Sequence, residues 1–288
     1  MNWYIYAVTA AVFYAAQMLG LRRLQKTHPI PEYMAYVWLG SGALIGLLFV
    51  RSTNGMTPTT LLLVLGAAFG SWAGMYGVNK AMSLQPNVGY VDAVGTLRLG
   101  LVYGVSIFFF GAPFEPMKLV LVAGTVVGVA LIIGRSNSPL TKIGGYRKSG
   151  ESDRTWVAWL LLSVLCFTLL FVCIRMATGR GMDALAATAL VMVLASGMYA
   201  AMVWRGGMVL RPSRDWPMIL LVIVLSTIGN IAFFSSLTSA PNLAYTDAIV
   251  NLRIVILYLA ALLMGAGRLQ AGKALGVAVA CGCAVLLG

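Results

Sequence analysis

Ten apolar runs, each close to the length of a membrane-crossing helix, follow one another along this chain. They cover 3–21, 32–50, 59–82, 86–110, 116–134, 156–174, 184–204, 216–237, 241–264 and 271–288. A helix needs about 20 mostly apolar residues to cross the hydrocarbon core of a bilayer. A soluble chain of 288 residues, 60% hydrophobic and only 10% charged, could not cover its own surface with polar groups. The bilayer is therefore the expected solvent, and each run is predicted as a helix because only a helix or a closed barrel satisfies its backbone in lipid. Breakers separate the runs, among them His28-Pro29-Ile30-Pro31, Gly111-Ala112-Pro113, Arg211-Pro212 and Trp216-Pro217. The first run is followed, not preceded, by basic residues (Arg22, Arg23, Lys26), the reverse of a cleaved leader, so it is predicted as a retained span.

The formal charge of +12 does not call for a nucleic acid, because the basic residues sit in short connections between runs. Fourteen lie on the side of the connections that follow runs 1, 3, 5, 7 and 9, and four (Arg51, Lys118, Arg175, Arg180) lie on the other. The positive-inside rule then puts the central linker in the cytoplasm and both termini outside. Cys166, Cys173, Cys281 and Cys283 fall inside apolar runs and are read as small apolar side chains; with a single histidine, His28, no metal site is expected. No cofactor is expected either.

The second half repeats the first at an offset of 155 residues. PNVGYVDAVGTLR at 86–98 faces PNLAYTDAIVNLR at 241–253, identical at seven of thirteen positions. The same offset matches Ser71 with Ser226, Gly74 with Gly229, Tyr103 with Tyr258 and Lys118 with Lys273. Each unit has an odd number of runs, so two units in one chain must cross the membrane in opposite senses. The expected fold is an all-α integral membrane protein of ten transmembrane helices in two inverted five-helix repeats. Residues 1–134 form the first repeat, 135–155 a basic linker and 156–288 the second. Inverted repeats are characteristic of secondary transporters, with the substrate site near the midplane between the repeats.

Four ionisable residues lie deep within runs: Asp92, Arg98, Asp247 and Arg253. Each costs roughly 2.5–3.5 kcal/mol at a helix centre on translocon scales, so each calls for a partner or a purpose. Asp92 and Arg98 are separated by about 240° of helical rotation and point apart. Measured from one face, Asp92 lies about 9 Å, Arg253 about 12 Å, Arg98 about 18 Å and Asp247 about 21 Å deep. The pairs predicted are therefore Arg98 with Asp247 and Arg253 with Asp92, across the repeats. As an alternative to a purely structural pair, an arginine there can bind a carboxylate or phosphate through its planar fork while an aspartate carries protons.

The same runs carry a polar stripe, Asp92, Thr96 and Tyr103, repeated as Asp247, Asn251 and Tyr258 and predicted to face the interior. Further candidates for a cavity are Tyr14, Gln17, Asn79, Asn230 and Trp72, with Trp38 as a second deep tryptophan; plain packing is the competing reading for each. Trp3, Trp156, Trp159, Trp204 and Trp216 lie near run ends as interfacial anchors. Gly66, Gly70 and Gly74 form GxxxG-like steps that suggest close helix packing.

The pattern resembles the EamA-type branch of the drug/metabolite transporter superfamily over the whole chain. FGAPFEPMKLVLVAGTVVGVALIIG (110–134) is similar to the end of that family's unit, with Glu115 at the acidic position. LLMGAGRLQAGKALGVAVACGCAVLLG (262–288) keeps the glycines but has Gly267 or Arg268 where the acid is usually found. The resemblance implies transport of small metabolites, often amino acids, by alternating access, and cytoplasmic termini, opposite to the charge bias. The reading is a secondary transporter, not an enzyme, of a carboxylate-bearing or zwitterionic metabolite, with protons as a candidate coupling ion. The expected setting is the inner or plasma membrane, multi-pass, as a monomer or homodimer. An intramembrane lipid-modifying enzyme and a channel or receptor are the alternatives. The first lacks a nucleophile with a base, and GxxxxGK[ST], which direct ATP coupling would use, is not present.

Overall fold

The computed structural model describes residues 3–50, 55–84, 91, 94–95, 97–111, 114–134, 155–206, 215–240, 243–263 and 271–287. Asp92, Thr96 and nearly all of the basic linker lie outside the described residues. Among the described residues there are helices and no strands. They are α1 (Trp3–Leu24), α2 (Ile30–Phe49), α3 (Pro58–Leu84), α4 (Leu97–Phe110), α5 (Pro116–Gly134) and α6 (Thr155–Thr178). The rest are α7 (Ala184–Arg205), α8 (Trp216–Ser239), α9 (Leu243–Val250), α10 (Arg253–Leu263) and α11 (Ala271–Leu287). Helices α1, α3, α6, α7 and α8, of 22 to 27 residues, are long and apolar enough to cross a bilayer. Large apolar side chains point outward with nothing packed over them, Phe108 being 86% and Leu263 89% exposed, as a lipid-facing surface requires.

Prolines start the helices where their missing N–H costs nothing, at Pro58 and Pro116 and within the first turns of α2 and α8. Asp183 caps α7 by accepting a hydrogen bond from the Ala186 N–H at 2.8 Å. One expected helix is not continuous. The run 241–264 is broken at Asn251–Leu252, where the Leu252 N–H bonds Ile249 O at 3.0 Å and the Ile254 N–H bonds Asn251 O at 2.9 Å. These are tighter, three-residue steps than the α-helical four, so α10 does not continue the spoke angles of α9. Asparagine favours such a break because its amide competes with the helical backbone. Bent backbone at this depth is tolerated only away from lipid, and Val250 and Asn251 are buried.

The most extensive packing joins the two halves of the chain: α3 lies along α6, α2 along α7, α1 along α8 and α5 along α11. An offset of 155 residues carries α1 onto α6 and α3 onto α8, so it exchanges the α1/α8 and α3/α6 pairs. It likewise exchanges the α2/α7 and α5/α11 pairs with themselves.

Glycines set how closely these helices approach. A Cβ added to Gly70 would sit 2.5 Å from the Cys166 carbonyl oxygen, and one on Gly77 would sit 2.7 Å from that of Trp159. Gly74 lies against Phe167 and Gly66 against Cys173, so one stripe of α3 meets α6 along several turns. Gly128 of α5 meets the backbone of α11 in the same way, its Cβ position lying 2.6 Å from the Ala280 nitrogen. Because the obstacles at Gly70 are backbone atoms that no rotamer change can move, Gly70→Ala is expected to cost about 1–3 kcal/mol. The substitution Gly104→Ala, where an added Cβ meets nothing within 4 Å, should be tolerated. Thermal unfolding in detergent, followed for both variants, measures that difference.

Candidate functional site

Arg98 is at the start of α4 in the first half, and Asp247 is in α9 of the second. The two meet. The Arg98 Nε donates to Asp247 Oδ2 at 3.0 Å, and Nη2 donates to Oδ1, a two-pronged contact that uses one edge of the guanidinium fork. Both residues are buried, Asp247 at 1% exposure. Aromatic rings neighbour the guanidinium too: its carbon lies 4.9 Å from the ring centre of Phe171 and 5.3 Å from that of Phe167. Helix α6 thus braces from the second half a cation that the first half supplies. Asp247 is the residue of the other half predicted from the sequence as the partner of Arg98.

The symmetry-related arginine takes a parallel position with different chemistry. The guanidinium carbon of Arg253, at the start of α10, lies 5.7 Å from the ring centre of Tyr14 on α1, the counterpart of α6. The Tyr14 hydroxyl donates to Asn230 Oδ1 at 3.0 Å, and Asn230 donates in turn to the carbonyl of Ser226 at 2.7 Å. The partner expected for Arg253, Asp92, lies outside the described residues, as does Thr96.

These groups border a cavity between the halves. It has about 110 Å³ of room for the centres of water-sized molecules. One water needs about 10–15 Å³ on that measure, so several waters or a small organic molecule fit. Of the residues singled out from the sequence, Tyr14, Gln17, Arg98, Asn230, Asp247 and Arg253 line it. Most of its remaining wall is apolar. Phe167, Phe171, Phe233, Met75 and Met192 contribute, and Trp38 supplies an aromatic face from α2.

Other candidates are placed elsewhere. Asn79 is fully buried in a network at the ends of α1, α2 and α3, where Tyr33 and Gln25 each donate to its Oδ1 at 2.8 Å. Trp72 stacks between Phe69 and Tyr199, away from the cavity. Tyr103 fixes the turn between α4 and α5: its hydroxyl donates to the Glu115 carbonyl and accepts from the Glu115 N–H, both at 3.1 Å. Glu115 itself pairs with Lys118 at 2.9 Å. Tyr258 packs with Ile254, Val277 and Cys281, and Asn251 is buried at the break, outside the lining. Asp247, Asn251 and Tyr258 are all buried, as predicted for an interior stripe, but of the three only Asp247 lines the cavity. The phenylalanines of the wall carry no sequence signal of their own, since they sit in helices that are apolar all round.

Removing one member of a buried pair strands the other charge. Arg98→Met and Asp247→Leu are each expected to destabilise the protein by roughly 3–5 kcal/mol, whereas the two together should cost far less than the sum. Thermal unfolding of the four proteins gives the coupling, and additive losses would contradict the pairing.

Residues 154–288 match the EamA-like transporter family. No curated protein matches the chain. Among the solved structures 26 chains match. One of these, described only as "Crystal structure of protein", aligns over 98% of this chain and 95% of its own with a TM-score of 0.71. It shares 14% sequence identity, so the likeness is one of fold. The second half of the chain is thus similar to the EamA-like transporter family, and the apolar helices are those of a multi-pass membrane protein.

Proposed function

We propose that the protein is a secondary transporter that moves a small metabolite bearing a carboxylate, or both charges of a zwitterion, by alternating access. The observation that carries this reading is the Arg98–Asp247 pair, which ties the two halves together at the wall of a cavity lying between them. A substrate carboxylate competes with Asp247 for the arginine fork, and a substrate ammonium competes with Arg98 for the carboxylate. Either exchange loosens the tie between the halves, coupling occupancy to movement. The apolar wall of Phe167, Phe233 and Met192 favours a substrate with an apolar body beside its charged group.

The reading includes ten spans arranged as two inverted five-helix repeats, 1–134 and 156–288, joined by the basic linker 135–155. The pairing of α1 with α8 and α3 with α6, which exchange under the 155-residue offset, supports it. It sets the linker in the cytoplasm and the termini outside a plasma or inner membrane, on the charge bias of the connections. Arg253 with Tyr14 and Asn230 forms the second polar wall of the site, and Asp247, released when substrate holds Arg98, is the group that takes the coupling proton.

Uptake of labelled amino acids, organic acids and amines into proteoliposomes, with and without a pH gradient, tests this. Accumulation of a carboxylate-bearing compound is expected. Arg98→Lys, which keeps the charge but loses the fork, should lower it at least about tenfold, the equivalent of about 1.4 kcal/mol. Uptake of amines alone would contradict the carboxylate reading, and uptake indifferent to the gradient would contradict proton coupling.

A further inference from the structure

The joint between the halves on the basic face contains the chain's single histidine. His28, in the connection between α1 and α2, lies between two carboxylates. Its Nε2 is 3.1 Å from Asp215 Oδ2, at the start of α8 in the second half, and its Nδ1 is 3.6 Å from Glu32 Oε2, on α2 of its own half. The Thr27 hydroxyl also donates to Asp215 Oδ2, at 2.8 Å. Alongside, Tyr36 of α2 meets Trp216 of α8 edge-on at 5.5 Å. Among the described residues Arg23, in the last turn of α1, also acts on Asp215. Hydrogen bonding from Thr27, with the His28 ring and Arg23 close by, holds the Asp215 carboxyl below the usual carboxylate range.

The 155-residue offset gives the equivalent joint on the opposite face, and its chemistry differs. There His28 is replaced by Asp183, which caps α7, and Asp215 is replaced by Thr60, whose hydroxyl donates to the Gly55 carbonyl at 2.7 Å. Contact between the halves is made by glycine backbone: a Cβ on Gly55 would lie 2.4 Å from the Gly181 carbonyl oxygen, and both glycines have positive φ, 77° and 89°. One face is closed by backbone packing that pH leaves alone. The other is closed by an imidazole between two acids.

We infer that His28 is a pH-sensitive clasp, which fastens the α1–α2 connection of the first half to the start of α8 in the second when the imidazole is protonated. Only the protonated ring carries a positive charge, which attracts both carboxylates while Nε2 keeps an N–H for the 3.1 Å contact with Asp215; the neutral ring has one N–H and no charge. The sign follows. The clasp is closed below the range in which imidazole titrates, about pH 5–8, and loosens as pH rises through it. Asp215, held below the usual carboxylate range, keeps its charge across that window. The consequence is asymmetric: acidity on the basic face restrains opening there and leaves the other face unaffected.

Hydrogen–deuterium exchange on the whole chain in nanodiscs tests the clasp without a substrate, so its outcome is independent of the transport reading. After correction for intrinsic exchange, amides at 25–32 and 216–220 should exchange about two- to fivefold more slowly at pH 5.5 than at pH 8, the scale of an exposed ion pair. His28→Gln and Asp215→Asn should each abolish that difference, with protection in the α3–α6 contact showing that each variant is folded. Amides at 55–60 and 181–187 should show no such difference in any of the proteins. The same pH response in both variants, or none in the wild type, would overturn the proposal.

Discussion

Two opposite charges buried at the wall of a cavity between the halves shape everything around them. Arg98 and Asp247 could not stay ionised in lipid alone, and each is tolerated because the other is within hydrogen-bonding distance. Their partnership forces α4 and α9, from different halves of the chain, to approach at the same depth. Phe167 and Phe171 of α6 add apolar surroundings beside the guanidinium. Such a pair is a poor way to gain stability, since apolar side chains of equal volume would serve as well. Under the proposed function its value lies in being exchangeable: a charged solute can replace either partner, which no apolar contact allows.

The rest of the fold delivers the helices to that meeting point. Glycines at 66, 70, 74 and 77 let α3 lie on the backbone of α6, which positions Phe167 and Phe171 over Arg98. The break at Asn251–Leu252 separates Asp247 on α9 from Arg253 on α10, so the two charged residues need not follow one helical spiral. Arg253 can then settle over Tyr14 while Asp247 faces Arg98. The two halves are similar in path but unequal in chemistry. One arginine lies over two phenylalanine rings and the other over a hydrogen-bonded tyrosine; one joint is ionic and the other is glycine backbone. The contacts that hold the two faces are therefore different in kind.

Much of this was legible before any coordinates. Apolar length located the helices to within a few residues, because lipid leaves the backbone no alternative to helix. The 155-residue offset and simple depth arithmetic pointed Arg98 to Asp247. What was not legible depended on side-chain surroundings. Asn79, Tyr103 and Trp72 are polar or aromatic residues deep in apolar runs, as cavity residues would be, yet each serves a local hydrogen bond or stack. Spacing cannot distinguish a hydroxyl that closes a turn, as Tyr103 does on Glu115, from one that faces a solute. The helix break also escaped, since one asparagine in a run of Leu, Ile and Val is a weak signal. His28 read as a lone loop histidine because its main partner, Asp215, is 187 residues away.

Alternating access between the halves is the central claim, and distances across the two faces test it most directly. Spin labels on a cysteine-replaced background at Lys26 and Arg205 report on the basic face, and labels at Met56 and Arg180 report on the other. Pulsed electron resonance in nanodiscs, on the wild-type pair and on Asp247→Asn, should find two populations for each label pair. The account predicts that these populations are anticorrelated, one face widening as the other closes, with their ratio shifted when Arg98 loses its partner. A single unchanging distance on both faces, in both proteins, would contradict it.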